Sequence, residues 1–272
     1  MHVTDWDDAY DNFGHIPDAG TYPARWAEQA AAFRETMEAA GRARLDIAYG
    51  GEDRERLDIF LPAGAPKGLA VFVHGGYWRA FDKSMWSHLA AGALARGWAV
   101  ALPGYTLAPQ ARISHITAQV GAAIARAAAE VKGPLRLSGH SAGGHLVTRM
   151  VCTGSPLPRD VRTRIDHVVS ISGVHDLRPL MRTKLNDLLQ IDGNEARAES
   201  PALLEPIDGV SLTCWAGAAE RPEFVRQNAL LANVWTGLGA ETECITTPGE
   251  HHFNVIDALI DPQGDLVRRL AP

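Results

Sequence analysis

The sequence predicts an α/β fold with a mostly parallel central sheet, helices on both faces and a small helical cap. The chain has 272 residues, and 46% of them are hydrophobic, which suits a single domain with a sizeable core. Continuous apolar runs, such as residues 68–73, are typical of strands covered on both faces. Helix-like segments separate these runs, and strands that alternate with helices imply parallel pairing.

The N-terminal 42 residues are predicted to form a helical segment that packs on the domain. Apolar residues from Trp26 onward recur at helical spacing, which places one amphipathic helix over residues 23–40. Two alternating segments follow, at 43–49 and 56–61, with a Gly-rich and acidic turn between them. This pattern predicts an antiparallel hairpin at one edge of the sheet.

From residue 68 to the C-terminus, predicted strands and helices take turns along the chain. The carboxyl ends of parallel strands lie at one edge of a sheet, where ligands bind in open α/β folds, so a site is expected there. Residues 173–204 are predicted to be an insertion that forms the cap. The other predicted boundaries are helices over 83–96, 113–131 and 222–238, strands over 98–102, 135–141, 165–172, 211–216 and 242–246, and a last helix from Phe253.

Composition excludes several classes of function. The net charge is −6 and no basic stripe occurs, which argues against a nucleic-acid partner. The N-terminus is acidic and no apolar run has the length of a membrane span, so a cytoplasmic protein without a membrane partner is expected. Cys152, Cys214 and Cys244 lack metal-ligand spacing and are predicted to be buried free thiols in a reducing compartment. We expect a small-molecule substrate and no metal, and the oligomeric state stays open.

The segment Gly139-His140-Ser141-Ala142-Gly143 joins a predicted strand to a predicted helix. A Gly-x-Ser-x-Gly sequence at such a junction is typical of a nucleophile elbow, in which a sharp turn exposes the serine hydroxyl. Ser141 is therefore the candidate nucleophile. His140 and His145, on either side of the turn, are interpreted as packing or supporting groups.

A serine nucleophile needs a histidine base, and two histidines follow the last predicted strand. His251 and His252 lie together in a loop at the expected catalytic edge. We favour His252 because it leads into the predicted helix that starts at Phe253. His251 stays open as the alternative, since loop geometry is hard to read from a sequence.

The acid that orients the base is expected between the serine and the histidine in the chain. Glu220 is the first carboxylate after the strand 211–216 and is our choice. Asp176 follows the preceding strand and stays open as the alternative. Glu223 lies in the first turn of the next predicted helix, where an acidic side chain more commonly stabilises the helix N-terminus.

Two further groups of residues are candidates for the site. His74, Gly75 and Gly76 follow the strand 68–73, and the backbone N–H of Gly75 or Gly76 with that of Ala142 could form an oxyanion hole. His74 itself is interpreted as structural.

An aromatic group next to that loop could line a substrate pocket. Tyr77 and Trp78 are the candidate substrate-binding residues, with Trp86 as a further one. An ordinary core position is the competing interpretation for each of them.

Together these motifs resemble the α/β-hydrolase superfamily and, within it, the kynurenine formamidase (arylformamidase) branch and its esterase and lipase relatives. The resemblance extends from Ala43 onward. In that branch the triad histidine directly precedes a phenylalanine, which favours His252, and the triad acid is usually Asp, where this chain has Glu220. The segments that carry the resemblance are 74–78, 139–144, 172–180, 199–201 and 222–224.

The resemblance implies a serine hydrolase with a catalytic triad that cleaves a small amide or ester through an acyl-enzyme and needs no cofactor. N-formyl-kynurenine, an aryl formamide, is the substrate it implies. A carboxylesterase for short acyl groups is the alternative activity. A hydrolase-fold protein that binds a ligand without catalysis is the alternative from a different class, and the complete set of candidate residues argues against it.

Overall fold

The computed structural model of the protein describes residues 2–272. Its centre is an eight-stranded sheet in the order β1-β2-β4-β3-β5-β6-β7-β8. The strands are β1 (Ala43–Ala48), β2 (Arg56–Phe60), β3 (Leu69–Val73), β4 (Ala99–Pro103), β5 (Leu135–His140), β6 (Ile165–Ile171), β7 (Ser211–Gly217) and β8 (Glu241–Thr247).

One strand, β2, runs opposite to the other seven strands of the sheet. β1 pairs antiparallel with β2, and β2 pairs antiparallel with β4, whereas every pair from β4 to β8 is parallel. The predicted edge hairpin and the predicted parallel sheet are thus both confirmed. The parallel strands bring the residues that follow β3, β5, β6, β7 and β8 to one edge.

Helices cover both faces of this sheet, as predicted. They are α1 (Trp6–Tyr10), α2 (Tyr22–Ala39), α3 (Ala91–Ala95), α4 (Ile113–Glu130), α5 (Ala142–Arg149), α6 (Arg159–Arg162), α7 (Asn186–Leu189), α8 (Gly193–Ala198), α9 (Pro222–Gly237) and α10 (Asp265–Leu270). Shorter 3₁₀ segments lie at Phe13–His15, Ala19–Thr21, Lys83–Ala90, Arg178–Arg182, Pro201–Leu203 and Val255–Leu259.

The hydrophobic core consists of two layers, one on each face of the sheet. One layer packs α4, α5 and α9 against β-strand residues such as Val71 and Leu137. The other packs α2, α10 and the segment 83–95 against residues such as Phe72 and Val100. Neighbouring residues of β3 therefore face opposite layers, which is why the strand is apolar throughout.

The N-terminal segment is tied to the sheet by a buried cluster of charges. Asp58 on β2 is fully buried and accepts from Arg34 of α2 at 2.5 Å and from Lys83 at 2.8 Å. A buried carboxylate is tolerated when cations and donors surround it. The ion pair with Arg34 therefore fixes α2 over this face.

Residues 83–95 are helical, close to the predicted 83–96, with a 3₁₀ segment that continues into α3. Two other predictions, one of a boundary and one of burial, are wrong. No helix begins at Phe253, since a turn intervenes and the helical segment starts at Val255. Cys244 is exposed, whereas Cys152 and Cys214 are buried as expected. β8 is one of the two edge strands, and each of its residues is at least partly exposed.

The segment 173–204, predicted as a helical cap, contains four short helical elements between β6 and β7. Among residues 2–272, no helix combines the length and the apolarity that crossing a membrane requires.

Buried histidines predict how stability depends on pH. Burial lowers the pKa of His74 to about 4 and those of His145 and His175 to about 3, below the value of 6.5 in an unfolded chain. The unfolded state therefore binds protons first as the pH falls. The free energy of unfolding should have its full value above pH 6.5. It should decrease between pH 6.5 and about 4, by roughly 1.4 kcal/mol per pH unit for each buried histidine.

Guanidinium chloride unfolding between pH 8 and pH 5 measures this effect through the free energy of unfolding. His175→Gln should flatten the slope, because the variant removes one of the groups that titrate. His115→Asn, at an exposed position of α4, should keep the wild-type slope. A stability that is constant from pH 8 to pH 5 would contradict the account.

Candidate active site

Ser141 occupies a tight turn between β5 and α5. Its backbone has φ 56° and ψ −116°, a conformation that is strained for a residue with a side chain. Glycine on each side permits the turn: a Cβ at Gly143 would lie 1.9 Å from the Val73 carbonyl oxygen, and one at Gly139 would lie 2.2 Å from the Gly143 carbonyl oxygen. These are the backbone requirements of a nucleophile elbow.

His252 and Glu220 form a buried pair next to this turn. His252 Nδ1 lies 2.7 Å from Glu220 Oε2, and both side chains are almost completely excluded from solvent. A carboxylate oxygen can only accept, so Nδ1 carries the hydrogen. In the neutral ring, Nε2 is then the acceptor, which is the tautomer that a general base for serine requires.

Two more donors hold the carboxylate of Glu220. Its second oxygen, Oε1, accepts from Ser172 Oγ at 2.5 Å and from the Gly217 backbone N–H at 2.8 Å. Each carboxylate oxygen therefore has a partner, which offsets the burial of its charge. Ser172 was not identified from the sequence, although its position directly after β6 places it at the same edge as the other residues.

His140 supports the backbone of His252. Its Nε2–H donates to the His252 carbonyl oxygen at 2.9 Å, and the two rings lie 4.6 Å apart between centroids. Burial holds the pKa of His140 well below its usual value, so this ring stays neutral. The supporting role expected for His140 agrees with this contact.

The alternative residues make other contacts. His251 Nε2 lies 3.1 Å from the Tyr22 hydroxyl, and the ring does not line the cavity beside Ser141. Asp176 accepts two hydrogen bonds from the Arg178 guanidinium. Glu223 binds Arg226 and the Tyr10 hydroxyl.

Ser141 and His252 line the same cavity, which has a volume of about 320 Å³. Within residues 2–272, His252 Nε2 has no hydrogen-bond partner, so it is available to a group in the cavity. Aromatic residues form much of the wall: Tyr10, Phe13, Trp26, Tyr77, Phe81, Trp86 and Phe253. The remaining lining residues are Asp7, Asp11, Asn12, Gly75, Gly76, Arg79, Ala80, His140, Thr183 and Leu185.

Backbone N–H groups next to the serine could receive a negative charge. Gly75 passes so close that a Cβ there would lie 3.0 Å from the Ser141 Cβ. Gly76 follows with φ 108°, a conformation that favours glycine. Ala142 begins α5, where the first N–H groups of a helix have no intrahelical acceptor. His74 is buried and binds Tyr105, as expected for a structural residue.

Two of the three candidate aromatic residues line the cavity, and the third does not. Tyr77 and Trp86 line the cavity, whereas Trp78 is fully buried and packs edge-on against His145, 5.2 Å away between ring centroids. The expected contact of Trp78 with a substrate is therefore not present. The N-terminal lining residues, such as Asn12 and Phe13, had no recognisable motif and could not be identified from the sequence.

Known proteins are similar to this chain in sequence. The model of the alpha/beta hydrolase family matches residues 70–266, which is more than half of the chain. The kynurenine formamidase of Danio rerio is 28% identical over 226 residues, covering 80% of this chain and 77% of the relative. That of Drosophila melanogaster is 27% identical, with coverage of 87% and 83%.

Solved structures share the fold. A candidate thioesterase from Silicibacter sp. TM1040 is 49% identical with a TM-score of 0.94, covering 99% of this chain and 100% of the other. Esterase B from Lactobacillus rhamnosis is 16% identical with a TM-score of 0.68 and coverage of 92% and 90%, a likeness of fold alone. The chain belongs to the alpha/beta hydrolase family, and the enzyme is a hydrolase.

Proposed function

We propose that this hydrolase is a serine enzyme that cleaves an aryl formamide, with N-formyl-kynurenine as the best candidate substrate, through a formyl-enzyme. The observation that carries the proposal is the buried Glu220–His252 pair, which leaves the base nitrogen available in the cavity that Ser141 lines. The relatives named kynurenine formamidase support the choice of substrate.

The cavity suits an aromatic substrate with a small acyl group. Four of its aromatic rings form one wall, with Trp26 and Trp86 4.7 Å apart and Phe81 and Phe253 edge-on to Trp26 at 6.1 and 5.4 Å. Aromatic rings favour edge-to-face and offset contacts with one another, so this wall would bind an aryl group. A volume of about 320 Å³ lies at the small end of the range for ligand pockets.

In the first half of the proposed reaction, His252 Nε2 takes the proton of the Ser141 hydroxyl while Oγ attacks the formyl carbon. The carbonyl oxygen becomes an oxyanion that accepts from the N–H groups of Gly75 or Gly76 and Ala142. The C–N bond then breaks, and His252 gives its proton to the departing nitrogen. The products are the arylamine and a formyl ester of Ser141.

In the second half, water replaces the amine. His252 removes a proton from water, whose oxygen attacks the formyl ester, and the same N–H groups hold the second oxyanion. The ester bond breaks, formate leaves, and His252 returns the proton to Ser141 Oγ. Glu220 accepts from Nδ1–H throughout and stabilises the imidazolium that forms in each half.

The first prediction concerns the nucleophile. A fluorophosphonate probe should label the native protein at Ser141, because the probe reacts with serine hydroxyls that a base activates. Ser141→Ala should abolish labelling and lower kcat on the order of 10⁴-fold or more, and His252→Ala should lower it similarly. Ser138→Ala, which removes a buried hydroxyl of β5 that donates to Val71, should still be labelled. Equal labelling of the Ser141→Ala variant would contradict the mechanism.

The second prediction concerns the acid. Glu220→Gln should lower kcat by roughly 10²- to 10⁴-fold, because an amide can hold the ring of His252 in the wrong tautomer. Asp176→Asn is the matched control, since it neutralises a buried carboxylate that binds Arg178 instead. The control should retain most of the activity. A larger loss of kcat for Asp176→Asn than for Glu220→Gln would assign the acid to Asp176.

The third prediction concerns the substrate. N-formyl-kynurenine and formanilides should give higher kcat/KM than the matching acetanilides, because the formyl group is the smallest acyl group. p-Nitrophenyl esters and an aryl thioester of short acids belong in the same panel, since one relative is described as a candidate thioesterase. Good turnover of the esters or the thioester without turnover of any formamide would contradict the proposed substrate class. It would not contradict the proposed serine mechanism.

A further inference from the structure

Three charged side chains line the cavity beside Ser141, namely Asp7, Asp11 and Arg79. Asp7 is engaged within the protein, since it accepts from the Lys184 backbone N–H at 2.7 Å and lies 3.8 Å from Lys184 Nζ. Asp11 and Arg79 are exposed, and within residues 2–272 neither takes part in an ion pair. The cavity therefore offers one anion and one cation to a ligand.

Both of these charges lie near the Tyr77 hydroxyl, which belongs to the cavity wall. Burial raises the pKa of this hydroxyl, the carboxylates of Asp11 and Glu220 raise it further, and the Arg79 guanidinium lowers it. Coulombic effects decline with distance, so the charged ends of the two side chains lie within range of this hydroxyl. Asp11 and Arg79 do not pair with each other, so each can bind a separate group of a ligand.

The loop that carries Arg79 is held in a strained conformation. Tyr77 and Trp78 have φ angles of 50° and 55°, which are unfavourable for residues with side chains. The Tyr77 hydroxyl donates to the Tyr10 carbonyl oxygen at 2.5 Å, Trp78 is fully buried, and the Arg79 N–H donates to the Gly76 carbonyl oxygen at 3.0 Å. Backbone strain of this kind is concentrated at active sites and ligand clamps. These contacts fix the backbone of Arg79 beside the cavity.

We propose that Arg79 and Asp11 are specificity-determining residues that bind a carboxylate and an ammonium group on one arm of the aryl leaving group. A guanidinium can donate two parallel hydrogen bonds to a carboxylate, and an aspartate accepts from an ammonium. An arm with a carboxylate alone would leave Asp11 without a partner, and an arm with an amine alone would leave Arg79 without one. An α-amino acid arm satisfies both residues.

The inference rests on the proposed function and adds a requirement to it, namely that the ring carries a zwitterionic arm. Binding of the amine products tests it without turnover. Four 2-aminophenyl ketones share the ring and the carbonyl: kynurenine has both charges, kynuramine lacks the carboxylate, 3-(2-aminobenzoyl)propanoate lacks the ammonium, and 2-aminopropiophenone lacks both. Isothermal titration calorimetry at low ionic strength gives the Kd values. Kynurenine should bind about 5-fold or more tightly than each of the others.

Variants of Arg79 assign the preference for the carboxylate. Arg79→Met should weaken binding of the two ligands that have a carboxylate about 5-fold and should not weaken binding of the other two. Arg79→Lys should retain part of the preference, because lysine keeps the charge without the planar fork. Arg197→Met is the matched control, since it removes an exposed guanidinium of α8 away from the cavity, and it should keep the wild-type affinities.

A variant of Asp11 assigns the preference for the ammonium. Asp11→Asn removes the charge and keeps an oxygen that can accept from the Gly14 N–H, as Asp11 Oδ1 does at 2.9 Å. It should weaken binding of the two ligands that have an ammonium group about 5-fold and should not weaken binding of the other two. Asp160→Asn is the matched control, at an exposed position of α6 outside the cavity, and it should keep the wild-type affinities.

Several outcomes would overturn the inference. They are equal affinities of all four ligands for the wild-type protein, no measurable binding of kynurenine, or equal losses for all four ligands in the folded Arg79→Met or Asp11→Asn variant. A preference for one charge without the other would contradict the zwitterionic arm. A carboxylate preference that persists in Arg79→Met would contradict the role of Arg79. Failure of fluorophosphonate to label Ser141 would remove the proposed function and leave this binding result as it stands.

Discussion

The buried carboxylate of Glu220 is the interaction on which the candidate site depends. A carboxylate out of contact with water is strongly unfavourable unless hydrogen bonds and opposite charge surround it. Here the donors come from the ends of three neighbouring strands: Ser172 follows β6, Gly217 ends β7, and His252 follows β8. Only the parallel register of these strands brings the three donors to one point. The same contacts that make the buried charge tolerable also orient the imidazole.

Close backbone packing is the second constraint, and it acts at the turn that carries Ser141. The turn passes so near Val73 that the flanking positions Gly139 and Gly143 have no room for a Cβ. The crowding fixes the direction of the serine side chain and brings the loop with Gly75 against it. Ser141 is thus positioned by rigid elements of the sheet, whereas Glu220 and His252 lie in loops that follow strands.

Besides the residues around Ser141 and His252, three parts of the chain that are far apart in sequence line the cavity. Residues 7–13 close one side, the loop 75–81 brings aromatic and glycine residues, and Thr183 with Leu185 comes from the segment 173–204. The prediction that Trp78 contacts a substrate is wrong. Its neighbour Tyr77 lines the cavity, whereas Trp78 packs in the core beside His145. In a strained loop, alternation along the chain does not indicate which side chain faces the pocket.

The sequence by itself determined the fold class, the order of strands and helices, and the turn at Ser141, because these follow from local patterns: apolar runs, helical spacing and glycines at fixed distances. It also limited the candidate base and the candidate acid to a few residues in the loops after three strands. Only the tertiary structure decided that His252 rather than His251 meets Glu220, that Ser172 completes the carboxylate's contacts, and that Asn12 lies on the cavity wall. The physical reason is that each of these contacts joins residues distant in the chain, so it depends on how strands pair and loops pack rather than on any pattern within one segment.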